Sequence, residues 1–370
     1  MKIAHVVAHF PPDTGGMGQS CYEEVLRLSK KGHEVEVFTL KYLKTDYTND
    51  QNYSFKVNRL KPVFRFGNAG WAIQLLFKLK NFDVIHLHYP FYGSAQCVYM
   101  ASKFFKQKYV LTYHMDAQLS GAKKILQRIY DFIWAKKIFK NASQVLVADR
   151  TVFKDLKFSQ YIGEQKIKEV PLAVDTEVFV PWPRELQEER IDKKNTILFV
   201  GNLIPLKRLD LLLEAYAESG IKNSLLLVVG GGYGVKKYKK MAEDLYLNDR
   251  IKFEGPCLES KKLSVYYNLA DLVVVPSDYE TFSLVTLESL ACGTPVLASN
   301  IEALSNKITE GENGFLFEKG IKTDLIIQLK KFFALDESQK EIMGIKAHQS
   351  SEKFSWENHI NMLEQIYERV

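Results

Sequence analysis

Two acids, Glu280 and Glu288, bracket the segment Glu280-Thr-Phe-Ser-Leu-Val-Thr-Leu-Glu288. An apolar run, Leu272 to Val275, and the turn Pro276-Ser277-Asp278 come before it. Ser289-Leu-Ala-Cys-Gly-Thr-Pro295-Val-Leu-Ala follows. A strand, a turn, a helix and a Gly-Thr-Pro break before the next strand make a βαβ passage. Its ligand-facing corner is the C-terminal end of the strand. The spacing predicts that Thr281 to Leu284 form the first helical turn. N–H groups there have no intrahelical partner and carry the positive end of the dipole, so Phe282, Ser283 and Leu284 would cradle a phosphate. Glu288 falls four residues past Leu284, on the same face. A carboxylate only accepts hydrogen bonds, which suits two neighbouring hydroxyls such as those of a ribose. Glu280, ahead of the helix, would hold hydroxyls on whatever lies beyond the phosphates. The same two acids would also stabilise a helix start with no ligand present.

Such a corner has to be held by a sheet. Lys2 to Ala8, Glu34 to Leu40, Val84 to His88, Tyr109 to Tyr113 and Gln144 to Ala148 read as short strands. The helix after the first strand presents Cys21, Val25, Leu26 and Leu28 to a core. The pattern restarts at Thr196 to Val200, with a helix over Leu209 to Glu218. Strands follow over Leu225 to Val229, Ile251 to Glu254, Leu272 to Val275 and Pro295 to Ala298. Short apolar strands alternating with helices predict parallel, doubly wound sheets. We expect one such domain over residues 1–171, a Pro-rich and then charged linker over 172–194, and a second domain over 195–354. Residues 355–370 form an amphipathic helix.

Other candidate positions fall at strand ends. Gly15-Gly16 would let a backbone approach a phosphate or sugar closely, and the pattern is not the Gly-x-Gly-x-x-Gly of a dinucleotide fold. Gly201-Asn202-Leu203 leads to Lys207 and Arg208. His114 ends the strand Val110-Leu-Thr-Tyr. His86 and His88 share one strand face, a spacing that suits a metal, but no acid close in sequence completes a ligand set. No metal site and no cofactor are therefore expected.

The stretch Pro-Ser-Asp-Tyr-Glu280-Thr-Phe-Ser-Leu-Val-Thr-Leu-Glu288-Ser-Leu-Ala-Cys-Gly-Thr-Pro-Val closely resembles the signature of family-4 retaining glycosyltransferases, the glycosyl transferases group 1. Ser283 stands where that family usually has Gly. The resemblance implies the GT-B fold: two Rossmann-like α/β domains facing across a cleft, with the terminal helix returning to the first domain. It implies that Gly15 and Gly16 face a donor diphosphate, that Lys207 grips it, and that His114 reaches the donor sugar. Asn202 replaces the family's usual Arg, and Arg208 replaces a usual Gly. Gly230-Gly231-Gly232 matches a Gly-Asp-Gly turn without its acid, and Phe253-Glu-Gly255 matches the segment bordering the nucleobase. Catalytic roles fall to Glu280, His114 and Lys207. Donor binding falls to Gly15, Gly16, Asn202, Lys207, Phe282, Ser283, Leu284 and Glu288. The implied reaction transfers a hexose from a UDP- or GDP-sugar to a glycan or lipid-linked acceptor, with retention. We find no Asp-x-Asp metal motif, so amides and Lys207 are expected to stabilise the leaving diphosphate. A second reading is a catalytically weak homologue that binds a nucleotide sugar or regulates.

Hydrophobic residues make up 46% of the chain and charged residues 25%, a soluble globular balance without a membrane-spanning run. Cys21, Cys97, Cys257 and Cys292 are far apart and read as free thiols of a reducing compartment. The net charge of +6 hides an asymmetry. Residues 1–171 carry 26 Lys and Arg against 14 Asp and Glu, +12, and the remainder carries 24 against 30, −6. Two basic, aromatic stretches, Lys56 to Lys80 and Lys123 to Lys140, suit an anionic membrane surface. We expect cytoplasmic placement, peripheral on the inner face of the plasma membrane, as a monomer or weak dimer. Nucleic acid is not an expected partner, because no recognition motif accompanies the charge.

Overall fold

The computed structural model describes residues 1–13, 16–42, 45–66, 69–115, 121–154, 157–183 and 195–370. The chain divides into two compact units, residues 1–171 together with 359–370, and residues 172–358. Each holds one parallel sheet, the α/β Rossmann-like arrangement expected from the alternating pattern.

In the first unit, β1 (Lys2–Val6), β2 (Glu34–Leu40), β3 (Lys56–Leu60), β6 (Val84–Tyr89), β7 (Tyr109–Tyr113), β8 (Gln144–Val147) and β9 (Ile167–Glu169) lie in the order β3-β2-β1-β6-β7-β8-β9. A separate hairpin pairs β4 (Phe64–Phe66) with β5 (Ala69–Trp71). Every β6 residue is buried, as a strand covered on both faces requires. Period-2 alternation sends Ala4, Val6, Ile85 and Leu87 to one core, and Ile3, Val7 and Val84 to the other. The second core is covered by α1 (Gly16–Lys30), which buries Cys21, Glu24, Val25 and Leu28. It is completed by Ile360, Leu363 and Tyr367 of α5 (Trp356–Glu368).

The basic stretch from Lys56 is partly structural. It forms the edge strand β3, where the Arg59 guanidinium donates to both Asp50 oxygens at 2.8 and 2.9 Å and lies over the Tyr47 ring. The second stretch is different. Helix α2 (Gly121–Tyr130) and the wider turn after it leave Ile125, Leu126, Ile129, Phe132 and Ile133 exposed, Phe132 by 89%.

In the second unit, the order is β12-β11-β10-β13-β14-β15, built from Ile251–Gly255, Ser224–Val229, Asn195–Val200, Leu272–Val275, Val296–Ser299 and Gly314–Phe317. After β10 and helix α3 (Leu209–Ser219) the chain builds outward through β11 and β12, then returns to lay β13 on the other side of β10. The strand order therefore reverses between β10 and β13. At such a reversal, neighbouring strand-end loops run to opposite faces and leave a crevice for a ligand.

Candidate functional site

The loops after β10 and β13 meet at that reversal. The β10 loop closes with a short turn, Pro205–Lys207, and Asp278 N–H donates to Leu206 C=O at 3.0 Å. Two ion pairs join the same loops. Lys207 Nζ donates to Glu280 Oε1 at 2.5 Å, and Ser277 Oγ donates to that same oxygen at 2.8 Å. Arg208 Nη1 donates to Asp278 at 3.0 Å, and its Nε donates to Asp210 at 3.2 Å. Arg208 is thus held between Asp278 and Asp210, the latter in the first turn of the following helix. Asn202 itself is exposed. Arg208 has φ of 51°, the left-handed region that a glycine occupies without strain.

Glycines knit the strand ends together. A Cβ on Gly230 would lie 1.9 Å from Gly201 C=O, so the β10 and β11 loops can only touch through bare backbone. Gly230 N–H donates to Gly255 C=O at 2.8 Å, and Leu203 N–H to Gly231 C=O at 2.7 Å. The three glycine segments singled out by sequence form one packed floor.

The helix after β13 starts later than its sequence spacing suggests. α4 runs Leu284–Ala291, and Ser283 is its N-cap at φ 69°, so Thr281 to Ser283 are not helical. The cause is Ser283, whose Oγ accepts from Thr286 N–H at 3.4 Å and contacts Thr286 Oγ1 at 3.0 Å. A left-handed backbone at this position also explains why a glycine fits there. The free first-turn N–H groups therefore begin at Leu284. Phe282 is buried, edge-on to Phe354, with Lys307 Nζ 4.0 Å from its ring centre. Only its backbone remains for a ligand. Glu288 is partly buried and accepts from Tyr267 O–H at 2.7 Å. Desolvation pushes its carboxyl up to about 7, against the lowering effect of that hydrogen bond. A hollow lined by Pro181, Trp182, Asn268, Cys292 and His348 contains none of these residues.

The remaining expected residues belong to the first unit. Gly15 lies outside the described residues, as does 184–194 of the expected linker. Gly16 opens α1, and a Cβ there would meet nothing within 4 Å, so packing does not demand the glycine. His114 follows β7, and its Nε2 is 2.9 Å from His88 Nδ1. His88 Nε2 is in turn 3.0 Å from His5 Nδ1. His5 and His86 pair across β1 and β6, at the strand-order reversal of this sheet.

The acid that sequence proximity could not supply arrives from α1. Glu24 Oε2 lies 3.8 Å from His5 Nδ1, 3.8 Å from His86 Nδ1 and 3.7 Å from His88 Nε2. Glu24 Oε1 faces His359 Nε2 of α5 at 3.3 Å. Glu24 lies on the buried stripe of α1 with Cys21, Val25 and Leu28, so helical spacing marks it as sheet-facing without naming its partners. Burial lowers His5 and His114 to about 4, and takes His86 and His88 well below the ordinary imidazole value. Burial alone would raise Glu24, but the hydrogen bond with His359 and the surrounding imidazoles hold its carboxyl at about 2.

Residues 183–349 match the family Glycosyl transferases group 1, and residues 14–178 match Glycosyltransferase Family 4. A D-inositol 3-phosphate glycosyltransferase of Gordonia bronchialis is 27% identical over 409 residues, covering 100% of this chain and 88% of that protein. Among solved structures, sucrose-phosphate synthase from Thermosynechococcus elongatus superposes with a TM-score of 0.82 at 22% identity, over 100% of this chain and 98% of the other. Anabaena HepE in complex with UDP gives 0.80 at 17% identity, over 100% of both chains, and its complex with UDP-glucose gives 0.78. These likenesses carry the GT-B fold.

Proposed function

The chain belongs to the group 1 and family 4 glycosyltransferases, and from that premise we propose that it transfers a hexose, with retention, from a UDP- or GDP-sugar to a glycan or lipid-linked acceptor of cell-envelope polysaccharide or glycolipid synthesis. The observation that carries this reading is the Lys207–Glu280–Ser277 contact at the strand-order reversal of the second unit. A diphosphate placed there meets a lysine and the free amides at the start of α4. Glu288 accepts the ribose hydroxyls, and Glu280 holds a sugar hydroxyl while it aims Lys207. As the anomeric C–O bond breaks, the negative charge of the leaving diphosphate grows against fixed donors. The acceptor oxygen attacks the same face, and its proton passes to the departing phosphate oxygen. A uridine donor is the first choice, since HepE is seen with UDP and UDP-glucose. A thermal-shift screen against UDP-, GDP- and ADP-sugars tests the donor. Stabilisation by none of them would defeat the reading.

Two further expectations follow from the same site. The diphosphate charge is balanced by Lys207 and amides, so initial transfer rates should be equal in EDTA and in added Mn²⁺. A rate that vanishes in EDTA and returns with Mn²⁺, in protein whose Glu24 and histidine cluster has been altered by Glu24→Gln, would show that a cation holds the diphosphate. Glu288 titrates near 7 in the free protein. The ionised carboxylate accepts from two ribose hydroxyls, whereas the protonated form has turned one oxygen into a donor, so binding favours loss of the proton and strengthens as pH rises. Across two pH units centred on that value, affinity for a UDP-sugar, whose diphosphate does not titrate there, should rise by up to about tenfold, and Glu288→Gln should flatten the profile. Isothermal titration at several pH values reads both.

No described helix is long and apolar enough to cross a membrane. Attachment at a membrane surface instead has support in α2, where Ile125, Leu126 and Ile129 are exposed beside Lys124 and Arg128. Phe132, Ile133, Lys136 and Lys137 extend that face. Isolated apolar side chains are ordinary on a surface, but a continuous stripe with basic flanks fits lipid headgroups.

A further inference from the structure

The geometry points to a site for a divalent transition-metal ion of the zinc class, formed by His5 Nδ1, His86 Nδ1, His88 Nε2 and Glu24 Oε2 inside the first unit. The four residues are buried, and their ligand atoms all lie within 4.8 Å of one another. Zinc bonded to nitrogen and oxygen at about 2.0–2.1 Å in a tetrahedron separates neighbouring ligand atoms by about 3.4 Å. The separations here are 3.0, 3.7, 3.8 and 3.8 Å for His5–His88, Glu24–His88, Glu24–His5 and Glu24–His86. Shifts of about half an ångström close those four separations, and the two from His86 to the other imidazoles, which lie within 4.8 Å, close by up to about 1.4 Å.

One unpaired ligand atom supports the assignment independently of the distances. Glu24 Oε2 is sealed from solvent without a hydrogen-bond partner. A buried carboxylate oxygen aimed at three imidazoles is costly to leave unsatisfied, and a cation satisfies it. The outer contacts also suit ligation. His86 Nε2 meets Thr112 Oγ1 at 2.6 Å, and His88 Nδ1 meets His114 at 2.9 Å. Such contacts fix which ring nitrogen keeps its hydrogen and which offers its lone pair. Glu24 Oε1 faces His359, leaving Oε2 for the ion. Tyr367 O–H, 2.6 Å from His86 Nδ1, would yield that lone pair on binding. Three imidazoles and one carboxylate favour zinc, cobalt or nickel over magnesium or calcium. The ion would tie β1, β6 and α1 together in the core that α5 completes. The set includes no residue of the Lys207–Glu280 loops, so the assignment does not depend on the donor reading.

Untagged full-length protein expressed in cobalt-supplemented minimal medium and freed of loose metal by gel filtration tests the site. The expected result is one cobalt per chain by elemental analysis, with the intense visible absorption of a four-coordinate ion. Glu24→Gln and, separately, His86→Gln should each remove that absorption and lower retained cobalt by more than about tenfold. Circular dichroism should show both variants folded. If one variant does not fold, the other decides. Wild-type protein that emerges without cobalt, or variants that keep the wild-type spectrum, would overturn the proposal in favour of imidazoles that merely share protons.

Discussion

Glu280→Ala should lower kcat by about 10²–10³-fold and move the melting temperature by only a few degrees. The two expectations come from the same contacts. Glu280 Oε1 is where Lys207 and Ser277 converge, so its loss frees the lysine from the position at which a diphosphate would meet it. Removing one preorganised donor from a leaving-group site commonly has an effect of this size. The ion pair itself is partly exposed, with Lys207 at 25% and Glu280 at 11%, so its loss costs about 1 kcal/mol of stability. In a unit of this size that shifts the melting temperature by about 2–4 °C. Lys207→Ala should fail by a similar factor, and the double variant should be little worse than either single one, because the two act as one device. Steady-state kinetics beside differential scanning calorimetry separate the effects. A Glu280→Ala enzyme with near-normal turnover would remove Glu280 from the site.

The second large effect belongs to the surface. Ile129→Glu with Phe132→Glu should reduce binding to anionic vesicles by more than about 100-fold and leave turnover on a soluble acceptor unchanged. Phe132 is 89% exposed and Ile129 52%, so neither change opens a core. Each apolar side chain sunk into a headgroup layer contributes up to about 1.5–3 kcal/mol, and each introduced carboxylate adds repulsion of about 1 kcal/mol. Flotation with phosphatidylglycerol vesicles, against phosphatidylcholine as control, reads the loss. Wild-type protein that stays at the bottom of both gradients would end the membrane proposal.

Much of the fold could be read from the chain because parallel strands are short, apolar and evenly punctuated. Glu34 to Leu40, Tyr109 to Tyr113 and Leu272 to Val275 have the predicted limits. The strands Lys56–Leu60 and Gly314–Phe317 escaped notice for opposite reasons. The first is a half-exposed edge with charged residues, and the second is four residues long and opens on glycine. The helix start at Ser283 is not legible in the sequence, because a serine that caps through its side chain reads like one more helical residue. Glu24 is hidden for a more general reason. Its relation to His5, His86 and His88 exists only after α1 folds onto the sheet, and no local spacing encodes that contact. The Lys207–Glu280 pair has the same origin, 73 residues apart in sequence and joined by the adjacency of β10 and β13.

The return of residues 359–370 to the first unit has a consequence for synthesis. During translation residues 1–171 emerge first, yet the wall formed by Ile360, Leu363 and Tyr367 is still untranslated, and so is His359, the neighbour of Glu24. A nascent N-terminal lobe therefore waits with an oily flank bare while some 190 further residues are added, a delay of tens of seconds at about 5–20 residues per second. We expect the nascent lobe to engage chaperones during that interval, and residues 1–171 made without 359–370 should fail to stay folded.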